Sequence, residues 1–254
     1  MALDHEHQGP TVCAKLSSAL DRQNEARWHL HQMDANYHRA DPFRYSLNSF
    51  LRAIKEVPQQ VQMALQRESG FKAWFEREHS ALRSDPLFSQ FAKHRDFLVH
   101  QGMLVPSSYV HIGTTRDGQT FKIGIPFPID VLEDSDDAMT RFVAACGKNN
   151  FLYDLTVAHG DDSQFPCIRR VWRLASFPDE EIRAVAIRAW KRVGSLLGAT
   201  LMWLGHAPVS YEKFPCLPGH EDPRTMFRVY DKSVLKDIVR SRRRAATRKA
   251  PRTR

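Results

Sequence analysis

The chain has 254 residues, of which 42% are hydrophobic and 26% charged, a balance that supports a large buried core and argues against a disordered chain. No apolar run approaches the ~18 residues of a membrane-spanning helix, and the polar stretch from Met1 to Pro10 lacks the apolar centre of a secretory signal. The net charge of +8 sits at one end: Lys236 to Arg254 holds nine Lys or Arg against one acid, Asp237, and the rest of the chain is neutral.

Residues 11–38 alternate polar and apolar positions at helical spacing, with Leu16, Leu20, Trp28, Leu30 and Met33 as expected core contacts. Asp41-Pro42 pairs an N-cap acid with a proline at the first helical position. Phe43, Leu47, Phe50, Leu51, Ile54, Val57, Val61 and Leu65 then form one stripe of a long amphipathic helix, which Pro58 is expected to kink. Ser69-Gly70 breaks the pattern, Phe71, Trp74, Phe75 and Leu82 mark a shorter helix, and Asp85-Pro86 repeats the start signal ahead of Leu87, Phe88, Phe91 and Leu98. Four helices over 11–102 bury such stripes most simply as a bundle.

The pattern changes after Pro106. Val110 and Ile112 alternate with Tyr109, His111 and Gly113, and Asp117-Gly118 separates them from Phe121, Ile123 and Ile125, which predicts a hairpin. A helix over 138–147 and strands over 151–158 and 168–174 complete an expected β element spanning 106–175. Pro178-Asp179-Glu180-Glu181 opens a heavily apolar helix, 178–204, expected to pack back on the bundle. Residues 207–228 read as Pro-rich and irregular, 231–244 as helical, and the last residues as disordered. The fold class is therefore α+β, mainly helical, with a small antiparallel β element and a basic tail over 231–254.

The helix that begins at Asp85-Pro86 leads into Arg95-Asp96-Phe97-Leu98-Val99-His100, which reads R-D-x-x-x-H. An arginine can hold a phosphate and stabilise charge in its transition state, and a histidine can move a proton near neutral pH. Asp96 and His100 share a helix face and could pair. Arg95 and His100 lie about 140° apart around one ideal helix. Either that helix unwinds near Val99, or two copies of the motif meet across a dimer. This motif follows Phe43-Arg44-Tyr45-Ser46-Leu47-Asn48, Trp74-Phe75 and Asp85-Pro86-Leu87 in an order that resembles the HEPN-domain ribonuclease group over residues 15–102.

The resemblance implies a HEPN-like bundle closed by 178–204 with 106–175 inserted. It also implies a homodimer with a composite site of Arg95, Asp96 and His100, and metal-independent cleavage of RNA to a 2′,3′-cyclic phosphate. It further implies a toxin or defence setting with an antitoxin or defence partner, or a non-catalytic member that binds RNA or protein. Gly102 stands where one subgroup carries a modified tyrosine.

Arg240, Arg242, Arg243, Arg244, Arg248 and Lys249 in the basic tail are the expected RNA contacts, through phosphates and without base preference, since the tail holds no aromatic residue. No metal or other cofactor is expected. His29, His31 and His38 are not at i, i+4 spacing, and Asp130, Glu133, Asp134, Asp136 and Asp137 read as a solvated acidic loop. Cys13, Cys146, Cys167 and Cys216 form no C-x-x-C pair and read as reduced thiols of a cytoplasmic protein.

Overall fold

A computed structural model describes residues 14–91, 93, 104–145, 164–207 and 223–237. The fold is α+β: helices Ser17–Ala35 (α1), Ala40–Leu65 (α2), Phe71–Ser84 (α3), Ser135–Ala145 (α4) and Ile182–Trp203 (α5), with strands Ser107–Thr115 (β1), Ile123–Phe127 (β2), Phe165–Arg173 (β3) and Phe227–Val229 (β4). Residues 86–91 are also helical. The chain forms two compact units. One takes the described residues within 1–33, 44–104 and 182–218; the other takes those within 34–43, 105–181 and 219–254.

The helical unit is built on the buried stripes of its helices. In α1 the buried positions are Ala19, Gln23, Ala26, Leu30 and Met33, spaced alternately four and three residues apart as a packed helix face requires. Trp28, expected in this core, is 56% exposed. It falls between the buried positions Ala26 and Leu30, on the other side of the helix. Gln23 sits in the stripe because its side-chain amide donates to the Trp190 carbonyl at 3.0 Å while the Trp190 indole donates to the Gln23 carbonyl at 2.9 Å, which offsets burial of both polar groups.

All eight predicted stripe residues of α2 are fully buried, and the helix continues through Pro58. Gly70 turns the chain into α3 with φ of 77°, a conformation that favours glycine. Asp85 starts the next helical stretch, its carboxylate accepting from the Leu87 amide at 2.9 Å. Phe91 from that stretch meets Phe50 edge to face at 6.2 Å, and α5 packs Trp203 on Phe71 at 5.4 Å.

In the sheet unit the order is β2-β1-β3-β4, antiparallel throughout. β4 lies in the stretch read as irregular, and its three residues are too few for periodicity to register. The predicted strand 151–158 lies outside the described residues. Helix α4 begins at Ser135 and packs Ala138, Met139, Phe142 and Val143 on Val110, Ile112 and Ile168. The expected cap of α2 is corrected: the helix begins at Ala40, and the Ala40 amide is received by Asp134 Oδ1 at 2.7 Å, far away in sequence.

Two substitutions check these placements. Leu47→Ala empties a fully buried site and is expected to cost about 2–5 kcal/mol in denaturant titration. Trp28→Ala is expected to change stability by no more than about 0.5 kcal/mol, as an exposed position does.

Candidate nucleic-acid interface

The site residues expected from the sequence, Arg95, Asp96 and His100, lie outside the described residues, as do Arg240, Arg242, Arg243, Arg244, Arg248 and Lys249. The described residues that flank the Arg95–His100 segment both meet α2. Phe91 packs on Phe50, and Asn48 holds Leu104 by two hydrogen bonds, from the Leu104 amide at 3.0 Å and to its carbonyl at 3.3 Å.

What the described residues do bring together is a set of side chains on one face of the sheet. The pairing Ile112↔Ile168 and Val110↔Arg170 sends these residues to the face covered by α4. Alternation then places Tyr109, His111, Arg169, Arg173 and Phe227 on the other face. His111, Arg169 and Phe227 are direct neighbours on one rung, with Pro126 beyond His111. This face is open in part: Phe165 and Val229 are 43% and 44% exposed and Tyr109, His111, Phe121, Arg169, Arg173 and Phe227 are partly exposed, while Cys167 and Val171 of the same face are buried.

Aromatic contacts run across it. Tyr109 and His111 meet edge to face at 5.8 Å, His111 and Phe121 lie tilted at 6.3 Å, and Phe121 and Phe227 meet edge to face at 5.1 Å. The Arg173 guanidinium lies 4.9 Å from the Tyr109 ring centre, within reach of a cation–π interaction.

The arginines divide sharply between the faces. Arg170 is fully buried, donates to the Glu133 carbonyl at 2.8 Å and to Ser108 Oγ at 3.1 Å, and lies 3.8 Å from the Trp172 ring centre. Burial lowers its pKa to about 10, so it stays charged at neutral pH. Arg141 pairs with Glu133 at 2.8 Å and Arg228 with Asp136 at 2.8 Å. Arg169 and Arg173 form no ion pair among the described residues. Among the described residues, then, two guanidinium groups without a carboxylate partner lie beside partly exposed rings on this face.

Residues 6–117 are similar to the family of bacteriophage lambda protein ea47. That stretch is less than half of the chain. It takes in α1 to α3, the Arg95–His100 motif and β1 with Tyr109 and His111, while Arg169, Arg173 and Phe227 lie beyond it. No curated protein and no solved structure matches the chain.

The acidic residues weighed as a loop serve the fold. Glu133 holds Arg141, Asp134 caps α2, and Asp136 accepts from Arg228 and from the Tyr230 hydroxyl. No group of metal-ligating side chains occurs among the described residues.

His38 and Ser135 form a pair at 2.9 Å. The other ring nitrogen of His38 faces the Thr225 carbonyl at 3.1 Å; a carbonyl only accepts, so Nε2 carries the proton and the Ser135 hydroxyl donates to Nδ1. Ser135 is fully buried, so the pair fastens the unit and offers no nucleophile. No helix of the described residues is long and apolar enough to cross a membrane.

Burial lowers the pKa of His111, and Arg169 adds to the effect; burial likewise lowers those of His29 and His79. The unfolded chain therefore binds more protons than the folded one on the acid side of neutrality. Stability should be full above the ordinary imidazole value of about 6.5 and fall as pH drops through it toward the lowered folded values. Thermal midpoints measured from pH 7.5 to 5 check this, with a smaller drop expected in His111→Gln.

Proposed function

We propose that this chain is a nucleic-acid-binding protein whose second sheet face contacts the ligand. The observation that carries the reading is the pair Arg169 and Arg173, cations without an ion-pair partner among the described residues, set beside Tyr109, Phe121 and Phe227. Phosphates supply the missing counter-charge, and aromatic rings supply contacts to bases. The basic stretch Lys236 to Arg254 adds phosphate contacts from the same chain.

Arg169→Ala and Arg173→Ala are each expected to weaken binding of a labelled RNA oligonucleotide and to reduce the slope of log affinity against log salt by about 0.7. Deleting residues 241–254 is expected to weaken binding and flatten the salt dependence further, with no change in sequence preference. Fluorescence anisotropy at several salt concentrations reads all three. Parent-like affinity in both arginine variants would remove the sheet face from the account.

A second reading adds RNA cleavage. It is favoured by R-D-x-x-x-H at Arg95, Asp96 and His100, which follows a helical stretch correctly begun by Asp85 and anchored through Phe91. Arg95 would hold the scissile phosphate and His100 would transfer the proton from a ribose 2′-hydroxyl. A homodimer would join two such motifs across a two-fold axis. His100→Ala is expected to lower cleavage about 10²- to 10⁴-fold with binding intact, and cleavage should persist in a chelator. Equal cleavage by parent and variant would end this second reading.

A further inference from the structure

The geometry of the second sheet face points to a single strand as its ligand, with bases stacked on Phe121 and Tyr109 and phosphates along Arg169 and Arg173; this rests on the nucleic-acid reading above.

Two glycines make room for a ring on this face. Gly113 and Gly124 stand opposite each other on β1 and β2. A Cβ on Gly113 would lie 1.7 Å from the Ile123 carbonyl oxygen, and one on Gly124 would lie 2.8 Å from the Phe121 ring. The side-chain-free rung is therefore a seat, and the Phe121 ring rests on it.

Phe121 reaches that seat from the β1–β2 loop, and the loop is tightly held. Asp117 accepts from the amides of Gln119 and Thr120 at 2.9 Å each and from the hydroxyls of Thr120 and Thr115 at 2.9 and 3.0 Å. Gly118, at φ of 70°, turns the chain, and the Lys122 amide closes the loop on the Thr114 carbonyl at 2.8 Å. The ring is thus set in place before any ligand arrives, so little ordering cost remains on binding. Phe227 stands beside it, 5.1 Å away and tilted by 61°.

Tyr109 offers a second ring at the other end of the face. It lies four residues from Gly113 along β1, about 13 Å along the backbone, and the His111 ring stands between it and Phe121 at 5.8 and 6.3 Å, so the two rings seat separate bases. Arg169 occupies the rung between them, next to His111 and Phe227, and Arg173 lies against Tyr109. Rings and cations therefore alternate along the face. A duplex presents phosphates but keeps its base faces stacked inside, so it would use the arginines and leave the rings idle. A single strand uses both.

The test is fluorescence anisotropy of the full chain with a labelled oligo(U) of about twelve nucleotides and an RNA duplex of the same length. Oligo(U) is expected to bind at least about tenfold tighter than the duplex. Tyr109→Leu and Phe121→Leu keep apolar volume and remove the aromatic ring. Each is expected to weaken oligo(U) binding about five- to tenfold and to leave duplex binding unchanged.

Circular dichroism melts confirm that each variant is folded. Should Phe121→Leu disturb the hairpin, Phe227→Leu on the short edge strand gives the same readout. Equal affinity for strand and duplex, or parent-like oligo(U) binding in Tyr109→Leu with either Phe variant, overturns the single-strand inference. If the arginine variants still weaken binding in that case, the nucleic-acid reading stands. If neither RNA binds at low salt, both fall.

Discussion

The arrangement of this protein depends on the register of β3 against β1. Ile168 faces Ile112, and from that pairing Arg169 and Arg170 must go to opposite sides of the sheet. A slip by one residue would exchange them. Arg170 would lose the Glu133 carbonyl and Ser108, and Arg169 would be turned onto the side packed by Val110, Ile112 and α4. A buried guanidinium is costly unless donors are met, and at Arg170 Nε meets Ser108, Nη1 meets the Glu133 carbonyl and the group lies over the Trp172 ring, while Nη2 is left without a hydrogen bond. The buried arginine thus acts as a lock on register, and the exposed one follows from it.

The same constraint shapes the rest of the sheet unit. Trp172, two positions beyond Arg170, stacks on Phe43 with ring centres 4.6 Å apart and donates to the Tyr37 carbonyl at 2.9 Å. The turn that carries Tyr37 and His38 is held by Ser135, and the first amide of α2 by Asp134. Acidic residues that look like a loose surface loop are therefore committed to particular partners on the core side. Among the described residues that leaves Arg169 and Arg173 of the second face beside rings and outside any ion pair, an electrostatic asymmetry suited to a polyanion.

Much of this was legible in the sequence, for identifiable reasons. The eight-residue stripe of α2 is long and strictly periodic, and every member is buried. Asp85-Pro86, Gly70 and the alternation around Asp117-Gly118 are local signals, and the local structure follows them. Trp28 misled because a large ring weighs more in a pattern than the small buried residues Ala19 and Ala26 that set the face of α1. The cap of α2 was hidden because Asp134 comes from far along the chain, and β4 because three residues carry no period. The sheet face itself could have been found: Tyr109-x-His111 and Arg169-x-Val171-x-Arg173 both carry a period of two, but only the pairing register shows that they share a side.

The central claim is that nucleic acid lies on this face rather than on the basic tail alone. Ultraviolet cross-linking of the full chain to 4-thiouridine-substituted RNA, with the linked peptides mapped by mass spectrometry, addresses it directly. The account predicts adducts at Tyr109, Phe121 or Phe227 that persist after deletion of residues 241–254. Adducts confined to 238–254, with none on the strands, would contradict it.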